Sequence, residues 1–289
     1  MVRIVLTFAL ALMLSATAWA ENWNSHQYKD TDWTHQFEVS CGLPKDTVQW
    51  LSEDDTKFLR FTLKNGQKGL CISDPLKRSG APYWERAELQ SHPFYIKMNS
   101  TYEIKVRLRF LKGFNNDRET FFQIHNKCPK GKPIPENPNG KCYPPLMFKV
   151  TNDPRTKRWF HIAYLSKDKG YNHINVEPWD DNAKSFDPGN AFGQWVDMHL
   201  IVSREEQSGS LEISLKAGDR VWKNKITSFD IMPKSDPYIK FGIYRPAQQD
   251  IDDDKLNGYH LAYPPNPEKY LPNKTSIIDF DYIKINKIK

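Results

Sequence analysis

Helical periodicity is scarce in this 289-residue chain, and so are the patterns that usually place a sequence quickly. No internal repeat and no low-complexity linker divides it, so nothing forces a split into separate domains. Its one sustained apolar run, residues 4–14, is shorter than the roughly 20 residues that a membrane-spanning helix requires. No membrane span is expected. The four cysteines, Cys41, Cys71, Cys128 and Cys142, show no Cys-x-x-Cys spacing and no bracketing histidine pair, which argues against zinc. The acidic group Asp250, Asp252, Asp253 and Asp254 lacks the glycine and closing glutamate of an EF-hand loop, with Lys255 and Leu261 at those positions. No cofactor is therefore expected to be required, and calcium at that acidic loop is the one metal candidate.

What the chain does contain begins with an export pattern. Met1-Val2-Arg3 leads into the apolar run, and Ala18-Trp19-Ala20 supplies the small residues a signal peptidase needs. Residues 1–20 are expected to be a signal peptide and residues 21–289 a single secreted or periplasmic domain, large enough for a substantial core. Four cysteines suit two disulfides in an oxidising compartment, with three possible connectivities. Proximity along the chain favours Cys41–Cys71 and Cys128–Cys142, the latter closing a loop of about 15 residues for roughly 3 kcal/mol. The formal charge of +6 falls to +5 when Arg3 leaves with the signal. That excess leans toward a polyanionic partner. Export and the cysteines favour an acidic polysaccharide over nucleic acid, bound by a monomer.

Hydrophobic alternation is the dominant pattern. Residues 101–111 set Ile104, Val106, Leu108 and Phe110 against Glu103, Lys105, Arg107 and Arg109, the period of a strand with one solvated face. Residues 57–63, 159–166, 195–203, 211–216, 221–226 and 277–285 read the same way, and Ala217-Gly218-Asp219 turns one strand into the next. Many strands joined by Pro- and Gly-rich connections predict an all-β fold, a concanavalin-like jelly-roll sandwich of two antiparallel sheets. Two stretches break the rhythm: 126–145, with six prolines and four lysines, and 245–275, with Tyr259, His260, Tyr263 and Tyr270. Loops of that length suit walls or lids over a groove.

Three strands carry chemistry on one side. Arg86 and Glu88, Gln123 and His125, and Lys240 and Tyr244 each sit two or four residues apart, so each pair shares a face. Ala87 and Leu89, Phe122 and Ile124, and Ile239, Phe241 and Ile243 point the other way. Trp84, Tyr83, Trp179, Tyr238 and Tyr259 are aromatics that could stack on sugars, although such residues are also common in sandwich cores. His161, His173 and His199 show no distinctive metal-ligand spacing.

Glu85-Arg86-Ala87-Glu88-Leu89, Gln123-Ile124-His125 and Tyr238-Ile239-Lys240-Phe241-Gly242-Ile243-Tyr244 resemble the three signature strands of jelly-roll polysaccharide lyases, the group of alginate lyases, glucuronan lyases and heparin lyase I. Their order and spacing match, as does the closing strand Ile278-Asp279-Phe280-Asp281-Tyr282-Ile283. The resemblance implies β-elimination next to a uronic acid, giving unsaturated oligosaccharides. The residue types suit that reaction independently. Arg86 and Gln123 can neutralise the uronate carboxylate, Arg86 as a rigid two-pronged donor, as negative charge develops. His125 can take the C5 proton and Tyr244 can protonate the departing oxygen, and by resemblance Tyr244 can also serve as base. Lys240, Glu88, Tyr238 and Arg245 are further candidates for substrate contact, with Gly242 leaving room for a sugar ring. Alginate lyases typically continue the last motif with Asn-Gln, where this chain has Arg245-Pro246, and the expected substrate is therefore glucuronan- or heparin-type rather than alginate. A glycoside hydrolase, which would need two flanking carboxyl groups, and a non-catalytic lectin are the alternatives on the same fold.

Overall fold

Where the sequence alternates, the chain is extended. The computed structural model describes residues 37–40, 43, 46–64, 84–91, 95–111, 117–127, 144–151, 160–168, 170–176, 193–206, 209–231, 236–246 and 275–289. Fourteen strands form among them: β1 (Phe37–Val39), β2 (Val48–Glu53), β3 (Thr56–Leu63), β4 (Trp84–Ser91), β5 (Ser100–Phe110), β6 (Asp117–Lys127), β7 (Leu146–Thr151), β8 (Phe160–Ser166), β9 (Gly170–Val176), β10 (Val196–Arg204), β11 (Gly209–Ala217), β12 (Arg220–Phe229), β13 (Asp236–Pro246) and β14 (Ser276–Lys287). The seven strands read from alternation are present within a few residues at their ends, and the three that carry chemistry are β4, β6 and β13. β1, β2, β7 and β9 are additional. β2 shows no alternating burial, and β9 is polar for most of its length, so neither carries the period-2 signal.

Every pairing is antiparallel, and the strands form two layers. One runs β1-β4-β13-β6-β7-β8-β9 and the other β12-β11-β10-β5-β14-β3-β2; they meet where Phe229 of β12 pairs with Ser166 of β8. The layers close face to face on a core rich in phenylalanine. Phe241 of β13 lies 4.9 Å from Phe280 of β14 and 5.6 Å from Phe61 of β3, and Phe110 of β5 lies 5.1 Å from Phe121 of β6. Each is fully or almost fully buried, a contribution of about 1.5–3 kcal/mol per side chain. This is the jelly-roll sandwich that the alternation implied. The turn from β11 to β12 takes two residues, Gly218 and Asp219, with Gly218 at φ 57° as the first central position of a type II′ hairpin favours.

Residues 1–20, the four cysteines, most of both long loops, Asp250, Asp252, Asp253, Asp254, Tyr83, Trp179 and Tyr259 lie outside the described residues. Among the described residues no helix is long and apolar enough to cross a membrane.

Candidate active site

The register of three neighbouring strands assembles the site. On β13, Lys240 stands between Gln90 of β4 and Gln123 of β6; Gly242 is opposite Glu88; Tyr244 is opposite Arg86; and Tyr238 is opposite His125. Paired residues of an antiparallel ladder project to the same face. Arg86, Glu88, Gln123, His125, Tyr238, Lys240 and Tyr244 therefore share the outer face of this layer. Ala87, Leu89, Phe122, Ile124, Ile239, Phe241 and Ile243 all lie in the core at 0% exposure, as their parity requires.

Glu88 is the hub of the cluster. Gln123 Nε2 donates to its Oε1 at 2.5 Å, Arg86 Nη1 lies 3.4 Å from its Oε2, and Lys240 Nζ lies 3.6 Å from the same oxygen. All four side chains are at least nine-tenths buried. A buried carboxylate is stable only where donors and opposite charge replace water, and here it holds an amide and two cations in a fixed array. Among the described residues the cluster sets two cations against one carboxylate.

His125 and Tyr244 stand at opposite ends of this array, and Arg86 links them. Its guanidinium lies 4.7 Å from the centre of the Tyr244 ring, and its charge is also felt at His125. The Nδ1 of His125 is 2.9 Å from the carbonyl oxygen of Asn126. A carbonyl can only accept, so this bond fixes the proton on Nδ1 and leaves Nε2 with its lone pair. Burial, then the charges of Lys240 and Arg86, push the imidazole down to about 3, so it is neutral across the ordinary pH range. An ordinary imidazole titrates near 6.5; the desolvated, cationic surroundings move this one well below that. Tyr238 packs its ring 5.4 Å from that of His125, with Tyr95 edge-on to it at 6.4 Å. Burial, then Glu88, raise the Tyr238 phenol to about 12, which keeps it protonated.

Two expectations need correction. Arg245 does not face the groove. Its position pairs with Glu85 on the core side, and it is fully buried, with Nε 2.8 Å from Glu85 Oε2 and Nη1 3.2 Å from Glu119 Oε1 and 2.6 Å from Ser276 Oγ. It ties β13 to β4, β6 and β14 across the core and is not placed to touch substrate. Gly242 does not clear space for a sugar either. It has φ 129°, and a Cβ there would meet Phe61 Cε1 at 2.9 Å, Glu88 Cα at 3.0 Å and Ala87 O closer still. The glycine is required by the close approach of β4 and by a bulge between Phe241 and Tyr244 against β6.

Among the described residues no group of three or more His, Cys, Asp and Glu is arranged to hold a metal. What the cluster offers is two cations against one carboxylate, an imidazole with a free acceptor nitrogen and a phenol. The sequence profile of the polysaccharide lyase family matches residues 20–258. The chain belongs to this family. It is a polysaccharide lyase on a jelly-roll scaffold. A search of curated proteins returns no match. Among solved structures, this lyase is similar to the family 7 alginate lyase A1-II′ bound to its product, at 11% identity with 85% of each chain covered and a TM-score of 0.49. It is also similar to an alginate lyase from Pseudomonas aeruginosa, at 16% identity over 84% of this chain and 87% of that one, TM-score 0.46. A family 16 glycoside hydrolase from Bacteroides ovatus resembles it comparably, at 12% identity over 91% and 98%, TM-score 0.46. Likeness at this level says nothing of chemistry, which the side chains must decide.

Proposed function

We propose that this lyase cleaves an unsulfated polyuronate by β-elimination, with the Glu88-centred cluster receiving the uronate carboxylate. The observation that carries the reading is the single net positive charge of Arg86, Lys240 and Glu88, held buried between a neutral imidazole and a phenol. One excess charge suits one carboxylate and offers nothing to additional sulfates.

The proposed steps use the residues of this cluster. His125 Nε2 takes the proton from C5 of the uronate. The electron pair left behind is delocalised into the carboxylate, where Gln123, Arg86 and Lys240 stabilise the developing charge. The C4–O bond then breaks, a C4–C5 double bond forms, and Tyr244 gives its phenolic proton to the departing oxygen. The depressed basicity of His125 belongs to the free enzyme. A bound carboxylate offsets the charges of Lys240 and Arg86, the part of the depression that burial does not cause, and so raises the basicity of the ring.

The preference against alginate rested on Arg245-Pro246. Because Arg245 belongs to the core, that difference does not bear on the groove, and glucuronan and alginate both remain within the proposed class. Export is part of the same reading, supported by the N-terminal pattern of residues 1–20; N-terminal sequencing of the mature protein, expected to begin at Glu21, checks it. The deciding experiment is ultraviolet absorbance on glucuronan, alginate, heparin, heparan sulfate, chondroitin and hyaluronan. Wild type is expected to form unsaturated ends on glucuronan or alginate, with Tyr244→Phe and His125→Ala each slowed about 10²–10⁴-fold. Reducing ends without that absorbance would make the protein a hydrolase, and binding without either would make it a lectin.

A further inference from the structure

Two residue ladders run from the reactive cluster to the far edge of the same layer. Lys240, Gln123, Met147, Ala163 and His173 are successive register partners on β13, β6, β7, β8 and β9. Tyr244, Thr120, Lys149 and His161 form the second, on β13, β6, β7 and β8. Both therefore project to the groove face. At their far ends His161 Nε2 lies 2.8 Å from His173 Nδ1, the rings 4.6 Å apart and tilted by 36°, with the Tyr171 ring 6.3 Å from that of His173. The Tyr171 hydroxyl donates to the carbonyl of Pro144, which anchors β9 to the chain entering β7.

We infer that His161, His173 and Lys149 form a distal subsite that binds a carboxylate-bearing sugar of the same polysaccharide several units from the scissile bond. The inference rests on the proposed polyuronate reading and adds to it a site outside the catalytic cluster. From β13 to β8 is three strand spacings, roughly 14 Å, a distance that only an extended substrate can cover. The imidazole pair has a fixed donor–acceptor logic. Whichever ring donates across the 2.8 Å contact, the outer nitrogens, His161 Nδ1 and His173 Nε2, carry one N–H and one lone pair between them, which matches a sugar hydroxyl. One added proton turns both outer nitrogens into donors around a single shared positive charge, which matches a carboxylate. Lys149, beside His161 in the ladder, favours the same anion and disfavours a metal cation at the pair.

The test is a chain-length comparison. His161→Ala/His173→Ala and Lys149→Ala are measured on the polymer and on a uronate trisaccharide, which is too short to reach from the cluster to β8. The expected result is a rise of about tenfold in KM on the polymer, with kcat and the trisaccharide kinetics unchanged. Unchanged KM on the polymer overturns the inference, and so does a loss of kcat on the trisaccharide, which would mark a structural defect. If wild type forms no unsaturated product on any polyuronate, the proposed reaction falls, and the subsite is judged separately by nuclear magnetic resonance. Movement of the His161 and His173 ring signals on titration with a hexauronate supports it; no movement, or movement with zinc alone, overturns it.

Discussion

Two buried charged clusters stand back to back on the same three strands, β4, β13 and β6. On the core side Arg245 meets Glu85, Glu119 and Ser276, and on the groove side Glu88 meets Arg86, Lys240 and Gln123. The inner cluster sets one cation against two carboxylates and is sealed at 0–1% exposure. The outer one sets two cations against one carboxylate, and its flanking imidazole and phenol are only partly covered. Opposite balances on alternate residues separate the roles. An arginine enclosed by its own acids has no capacity left for a ligand, whereas the outer cluster is the one that the proposed function completes with an anion from outside.

The sharpest way to break this comparison is to remove each arginine in turn. Arg245→Ala leaves Glu85 and Glu119 buried without their cation, and should cost about 3–5 kcal/mol of stability. Denaturant unfolding measures it, and the protein that remains folded should keep its kcat within about twofold, because Arg245 touches no groove residue. Arg86→Met should do the reverse. Its loss removes a donor that strengthens as charge develops, for about 10²–10³ in kcat, equivalent to roughly 3–4 kcal/mol of barrier. The loss of stability should be smaller than for Arg245→Ala, because Glu88 keeps Lys240 and Gln123 as partners. If Arg245→Ala proved stable but inactive, the assignment of the two faces would be reversed.

A smaller effect tests the backbone between the clusters. Gly242→Ala places a methyl against Ala87 O and Phe61 at a positive φ, and strain of this kind costs on the order of 1–3 kcal/mol. For a domain of this size that is a fall in Tm of several degrees, about 2–4 °C per kcal/mol, measurable by calorimetry. Had the glycine merely cleared room for sugar, the variant would keep its Tm and lose only affinity.

Much of this was legible in the sequence because strand parity is a strict rule. Arg86, Gln123, His125, Lys240 and Tyr244 fall on one face for the same reason that Phe241 and Ile243 fall on the other. That rule also places Arg245: it is in phase with Phe241 and Ile243, and its parity signalled burial although its charge suggested a ligand contact. What parity could not supply is pairing between distant strands. The hub role of Glu88 depends on β4 and β6 flanking β13, and the contact between His161 and His173 depends on β9, a polar strand with no alternation of its own. The reason for Gly242 is likewise tertiary, set by the approach of β4 and Phe61.

The smallest effect is also the one that most sharpens the electrostatic contrast. Burial, with the groove-side cations adding to it, holds the His125 imidazole down to about 3 in the folded protein, whereas in the unfolded chain it titrates near its ordinary 6.5. As pH falls below 6.5 the unfolded chain takes up a proton that the folded one refuses, so the contribution of this residue to stability is complete above 6.5 and is lost progressively toward 3. Between pH 7.5 and 5.5 the loss is on the order of 1 kcal/mol. In His125→Gln that part of the pH dependence should vanish, so wild type and variant converge in relative stability as the solution is acidified. Parallel denaturation curves at pH 7.5, 6.5 and 5.5 measure the difference. Adding Arg86→Met to wild type should recover part of the loss, because one of the two cations that depress the imidazole is then gone. If wild type and His125→Gln lose stability equally across that window, the imidazole is not depressed in the folded protein, and if Arg86→Met recovers none of the loss, the depression comes from burial and not from the outer cluster.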